Sequence, residues 1–127
     1  MPLVRIAHRK GRPAGFGRSV GAIVHQAMVD TIDVPSHDVF QIITEHEADG
    51  LIYDPGYLDI ARTDGIVMIQ ITLSAGRSEA QKKALYKKVA EGLRDRADVR
   101  PEDVFINLVE VTRADWSFGN GIAQYLI

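Results

Sequence analysis

The sequence predicts an α+β fold, a four-stranded mixed sheet with two helices on one face, built from two copies of a β-α-β unit. Three observations predict it. The chain matches itself without a gap at an offset of 65 residues. Each copy opens on a β-branched apolar run of strand length and continues into an apolar stripe at helical spacing. The length of 127 residues, 46% of them hydrophobic, suits one compact domain over 1–127, with halves of about 1–63 and 64–127.

The repeat is clearest where Val34-Pro35-Ser36-His37-Asp38-Val39-Phe40 falls on Val99-Arg100-Pro101-Glu102-Asp103-Val104-Phe105, with Val, Asp, Val and Phe identical. The same register lays Gly11-Arg12 on Gly76-Arg77 and Glu45 on Glu110. It also lays Val4 and Ile6 on Ile69 and Ile71, and Val20, Val24 and Met28 on Leu85, Val89 and Leu93. Two copies make a duplication; a solenoid needs more.

The first strand is expected over Leu3 to His8 and its counterpart over Gly65 to Leu73. A Gly-Arg step follows each. The first helix begins between Pro13 and Gly17, because Gly15, Gly17 and Gly21 each weaken a helix interior, and ends near Thr31. Ser78-Glu79-Ala80-Gln81 is a capping box that opens the second helix. Leu85, Val89 and Leu93, with Ala84 and Gly92, form its apolar stripe, and Lys82, Lys83, Lys87 and Lys88 fall mainly on the solvated side. The closing strands are expected over Val39 to Glu45 and Val104 to Val111. Between the halves, Asp49-Gly50, Asp54-Pro55-Gly56 and Asp64-Gly65 mark turns, and Leu51-Ile52-Tyr53 could be a short extra strand.

A helical crossover makes the two strands of each unit parallel. With both helices on one face, the other face stays uncovered and carries Phe40 or Val39, depending on register. A second copy of the chain is the expected cover.

Composition excludes several classes. A net charge of -2 offers no basic field for nucleic acid, and no cysteine is present for disulfides or thiolate metal sites. The longest apolar run, Ile66-Val67-Met68-Ile69, is far below the ~20 residues of a membrane helix, and the start lacks the pattern of a signal peptide. A cytoplasmic location is the expectation. His8, His25, His37 and His46 show no ligand spacing, so no metal is expected, and the glycines from Gly11 to Gly17 form neither nucleotide-binding fingerprint, so no cofactor is implied.

Several stretches together resemble the tautomerase superfamily, and within it the malonate semialdehyde decarboxylase group. They are Met1-Pro2-Leu3, Pro35-Ser36-His37-Asp38, Phe40-Gln41-Ile42, Ile60-Ala61-Arg62-Thr63-Asp64, Ala75-Gly76-Arg77, Asp115-Trp116-Ser117-Phe118-Gly119 and Ala123-Gln124-Tyr125. They run nearly the whole length of the chain. One departure is that Ser74-Ala75-Gly76-Arg77 carries one arginine where some decarboxylases of the group carry two. Other members carry one, so the exact substrate stays open.

The resemblance implies that Pro2, freed by removal of Met1, presents a secondary amine at a strand end. Neutral, such an amine is a general base; protonated, it polarises a carbonyl. Arg77, at the start of the second helix, is implied to hold a substrate carboxylate by two parallel hydrogen bonds, where the helix terminus already favours an anion. Asp38 is implied to pair with the amine or a water. A nearby carboxylate raises an amine pKa and a nearby guanidinium lowers it. Trp116, Phe118 and Tyr125 become the apolar wall of the pocket. Asp103 reads as a turn or capping residue, and nothing in the resemblance makes Arg12 catalytic.

The first reading is a cofactor-independent lyase that decarboxylates a small 3-oxo acid such as malonate semialdehyde. A second is a keto–enol tautomerase acting on a phenylpyruvate-like or dienol acid, with Pro2 as base. A third is a non-catalytic oligomeric binding protein on the same scaffold. Both enzymatic readings imply a small carboxylate-bearing carbonyl substrate, and the resemblance implies a homotrimer.

Overall fold

Alternating burial along β1 (Leu3–Arg9) and β3 (Val67–Ser74) turns Val4, Ile6, Val67, Ile69, Ile71 and Leu73 toward the helices, where they form the centre of the core. The computed structural model describes residues 2–127. Its other main elements are α1 (Phe16–Ile32), β2 (Gln41–His46), α2 (Glu79–Ala97) and β4 (Val104–Val111). Single-turn 3-10 helices cover Tyr57–Asp59, Pro101–Asp103, Arg113–Asp115 and Gln124–Leu126.

The sheet order is β2-β1-β3-β4. β1 runs parallel to β2 and antiparallel to β3, and β3 runs parallel to β4, which is the mixed sheet expected of two crossover units. A shift of 65 residues carries the last residues of β1, α1 and β2 (Arg9, Ile32, His46) onto those of β3, α2 and β4 (Ser74, Ala97, Val111). Both helices end alike. Asp33 and Asp98 adopt the left-handed conformation, at φ 59° and 53°, and their N–H groups donate to the Met28 and Leu93 carbonyls.

Some expected boundaries move. The first helix starts at Phe16 because Gly15, at φ 80°, ends the loop in a left-handed conformation. Gly17 and Gly21 do lie inside it, and they are where α1 comes close to β2: a Cβ at Gly17 would stand 2.5 Å from Ile43 Cγ2. The second helix begins as expected, with Ser78 and Gln81 bonded reciprocally. Ala84, expected in its apolar stripe, is exposed instead, while Leu85, Val89, Gly92 and Leu93 are buried.

β2 starts at Gln41 and not at Val39, because a turn reaches further: Asp38 N–H donates to the Pro35 carbonyl and Val39 N–H to that of His37. Leu51-Ile52-Tyr53 is not a strand. The Leu51 carbonyl accepts from Arg9 Nε and Nη2 at 3.1 and 2.9 Å, so a side chain holds this loop where a neighbouring strand would have been needed.

The register also decides between Val39 and Phe40. Val39 shares the helix-side cleft with Gln41 and Ile43, and Phe40 turns to the open face, where it is 52% exposed. Arg5, Gln70, Asn107, Phe105 and Val109 are exposed on that face, and Gln70 Nε2 donates to Asn107 Oδ1 at 3.0 Å. Among the described residues no helix is long and apolar enough to cross a membrane.

Candidate active site

The sheet brings the beginning of β1 beside the ends of β3 and β4, since Leu3 pairs with Thr72 and Ser74 with Val111. Pro2 is buried there, one residue before β1. Phe40 is fixed alongside by its carbonyl, which accepts from Val4 N–H at 3.0 Å. Pro2, Leu3, Phe40, Trp116, Ser117 and Phe118 line a pocket of about 230 Å³. The expected loss of Met1 concerns a residue outside those described.

The aromatic wall comes from the segment after β4. Asp115 closes a 3-10 turn, its carboxylate accepting from Thr112 N–H at 2.7 Å and Thr112 Oγ1 at 2.9 Å. Those bonds, the backbone one first, hold the Asp115 carboxyl below its ordinary pKa. The turn delivers Trp116, whose Nε1 donates to Ser74 Oγ at 3.1 Å. The indole stacks on Phe118 at 5.5 Å between centroids and 17° between planes. Gln124 clasps the same segment by accepting from Phe118 N–H and donating to the Gly119 carbonyl, both at 2.9 Å.

Tyr125 was expected to line the pocket. It stands one layer back, edge-on to Phe118 at 5.0 Å, with its carbonyl accepting from Arg113 Nη2 and Nε at 2.8 and 3.3 Å.

Arg77 is not among the residues that line this pocket. Its Nε and Nη2 donate to the Ile32 carbonyl at the end of α1, at 3.4 and 3.1 Å, and its Nη1 donates to the Ser74 carbonyl at 3.1 Å. A guanidinium has five N–H donors, so these bonds leave one on each terminal nitrogen for a further acceptor. Arg77 therefore meets the aromatic wall at Ser74, the residue that also holds Trp116. Asp38 sits half-buried in the turn two residues ahead of Phe40, just before β2, the strand that runs beside β1. The structure thus gathers Pro2, Trp116 and Phe118 around one pocket and sets Asp38 and Arg77 on the adjoining turns.

Phe40, Leu3 and Ser117 line the pocket without having been singled out as site residues. Phe40 was legible only as an apolar residue of uncertain facing, and Ser74 only as part of a loop. No local signal marks Ser74 as an acceptor, because its donor Trp116 lies 42 residues away.

The second half shows what the same positions do without a proline. Asp103 is buried and accepts from Thr63 N–H at 2.7 Å and Thr63 Oγ1 at 2.6 Å, so this carboxylate, at the end of the Pro101–Asp103 turn, ties down a loop 40 residues away and caps no helix there. Arg12 donates to the carbonyls of Gly65 and Asp98 at 2.8 and 3.3 Å and lies over the Phe16 ring. Among the described residues no group of three or more His, Asp or Glu side chains could hold a metal ion.

Two family models, both described as a tautomerase enzyme, match residues 38–119 and residues 2–58. The chain belongs to the tautomerase family. Within the family it is 43% identical over 126 residues to "Probable tautomerase YusQ" of Bacillus subtilis (strain 168), a match covering 99% of each chain. It is 34% identical to "Probable tautomerase YrdN" of the same organism, covering 99% of this chain and 97% of that one. Among solved structures this tautomerase superposes on a malonate semialdehyde decarboxylase with a TM-score of 0.90 and 33% identity, covering 98% of this chain and 95% of that one. FG41 malonate semialdehyde decarboxylase inhibited by 3-bromopropiolate gives 0.91 and 34%, covering 98% and 94%. The chain is a tautomerase-superfamily enzyme.

Proposed function

We propose that this tautomerase-superfamily enzyme is a cofactor-independent lyase that decarboxylates a small 3-oxo acid such as malonate semialdehyde. One observation carries the reading: Pro2 lies on a pocket of about 230 Å³ whose other walls are largely the rings of Phe40, Trp116 and Phe118. The space suits a substrate of few heavy atoms. Breaking the carbon–carbon bond disperses the carboxylate charge, so an apolar wall favours the transition state over the ground state. Likeness to two malonate semialdehyde decarboxylases supports the same choice.

In this reading Met1 is removed and the Pro2 ammonium donates to the substrate carbonyl oxygen. The electron pair of the breaking bond moves toward the carbonyl carbon as the oxygen takes the Pro2 proton, carbon dioxide leaves, and the resulting enol takes a proton at carbon from water while its oxygen returns the first proton to the Pro2 amine. Asp38 keeps the amine protonated. Arg77 binds the carboxylate through the N–H groups not committed to Ile32 and Ser74. A homotrimer with the open sheet faces toward a shared axis covers Phe105 and Val109, and a cytoplasmic enzyme fits a chain without cysteine.

A keto–enol tautomerase with Pro2 as base is the second reading, favoured by likeness to the two probable tautomerases of Bacillus subtilis. Intact mass first establishes whether Pro2 is terminal. Proton NMR then follows malonate semialdehyde and phenylpyruvate enol in parallel. The lyase reading expects carbon dioxide loss with the larger kcat/KM; enol ketonisation alone, by a protein with a free Pro2 amine, overturns it.

A further inference from the structure

His25 lies on α1, half-buried, and takes no part in the site described above. Its Nε2 stands 2.8 Å from the Ser36 carbonyl. A carbonyl only accepts, so Nε2 carries the proton. Nδ1 is buried without a hydrogen-bond partner among the described residues.

A second tether runs one helical turn away. Gln41 Nε2 donates to the Gly21 carbonyl at 2.8 Å, and positions 21 and 25 share one face of α1. The two bonds hold the chain at Ser36 and at Gln41, and between them lie Asp38 and Phe40. Val39, still 47% exposed, lines an open cleft with Gly21, Ala22 and His25. Backbone bonds within this stretch are few: Asp38 N–H to Pro35, Val39 N–H to His37, and Phe40 carbonyl from Val4 N–H. The turn therefore depends on α1 for its placement.

We infer that His25 is a positioning residue for the reaction, holding the Ser36–Phe40 turn against α1 so that Asp38 stays beside the Pro2 amine. The inference rests on Asp38 being the partner of that amine. An offset of about 1 Å in a reacting group can cost 10²-fold in rate.

The test uses the full-length enzyme with His25→Ala, His25→Gln, Asp38→Asn and the double variant His25→Ala/Asp38→Asn. Gln keeps an N–H near the place of Nε2. Expected for His25→Ala is a fall in kcat of about tenfold with little change in KM, and a Pro2 pKa moved toward that of Asp38→Asn. Gln at 25 should restore most of both. In the Asp38→Asn background, losing His25 should change kcat less than twofold, since the group it positions is already gone. Amide exchange at Asp38 should quicken in His25→Ala.

Effects that multiply in the double variant, or a Pro2 pKa that His25→Ala leaves unmoved, overturn the inference while leaving Asp38 its role. An Asp38→Asn protein with unchanged rate and Pro2 pKa overturns the reading of Asp38, and this inference with it.

Discussion

Arg77 and Trp116 are fastened to the same residue: the Ser74 carbonyl accepts from Arg77 Nη1 at 3.1 Å, and the Ser74 hydroxyl accepts from Trp116 Nε1 at 3.1 Å. The side chain proposed to bind a carboxylate and the ring that walls the pocket thus share one anchor at the end of β3. The arrangement keeps a cation at the rim of an apolar site without placing it in the wall.

Ser74→Ala removes the acceptor of the indole N–H and leaves the Arg77 bond to the carbonyl in place. An unmade bond of this kind costs about 1 kcal/mol of stability. Because the chain contains one Trp, intrinsic fluorescence reports on this site alone. Red-shifted emission and a several-fold lower kcat/KM are expected, with KM for the carboxylate nearly unchanged. Unaltered emission would show that stacking on Phe118 alone fixes the ring.

Acid should loosen the same wall. The Asp115 carboxyl lies below its ordinary pKa because Thr112, through its backbone N–H first and its hydroxyl second, donates to the ionised form. A lowered folded pKa stabilises fully above the unfolded value and is lost as pH falls through the folded one. Trp116 emission should therefore be steady above about pH 4 and change below it, while Asp115→Asn should flatten that change. Glu110, lowered by its bond to Lys82 at 2.5 Å, titrates in a similar acid range but ties α2 to β4, so it leaves the Trp116 signal to Asp115.

The duplication was legible because burial imposes the same pattern twice. Val4 and Ile6 answer Ile69 and Ile71, and all are core. Capping was legible at Ser78 because its partner Gln81 is three residues on. What the sequence left open depended on contacts distant along the chain. Leu51-Ile52-Tyr53 has strand-forming residues, but Arg9 supplies the hydrogen bonds there and no strand lies alongside. Tyr125 matches a pocket motif, yet whether it or Phe118 reaches the pocket depends on how Gln124 and Arg113 fold the final turn back.

Equal positions in the two halves should answer mutation differently. Asp103→Asn replaces a buried acceptor of two short bonds from Thr63 by a group with one donor end, at a cost of about 2–4 kcal/mol. A marked drop in Tm with kcat largely kept at 25 °C is expected. Asp38→Asn should do the reverse, lowering kcat while Tm moves little. Equal losses of Tm at both sites would make Asp38 another structural carboxylate.

The charge on Pro2 separates the two chemistries. A free α-amine has a reference pKa of about 7.7–8.0, and a proline amine can lie higher. In the proposed site, burial of Pro2 and an Arg77 cation would disfavour the ammonium, and an Asp38 carboxylate would favour it. If Asp38 dominates, Pro2 is protonated at neutral pH, and decarboxylation falls as pH rises through its pKa. If burial and Arg77 dominate, Pro2 is a base and activity grows over the same range. The protonated form is expected, so nitrogen-15 NMR of Pro2 should give a pKa above 7 that coincides with the falling limb of kcat/KM. Asp38→Asn should lower that pKa and weaken decarboxylation more than tautomerisation. Arg77→Ala should raise it and weaken both by about ten- to a hundredfold, since each substrate loses a charge-assisted contact of roughly 1.5–3 kcal/mol. A Pro2 pKa below 7, with activity rising through it, would favour the tautomerase reading over the lyase.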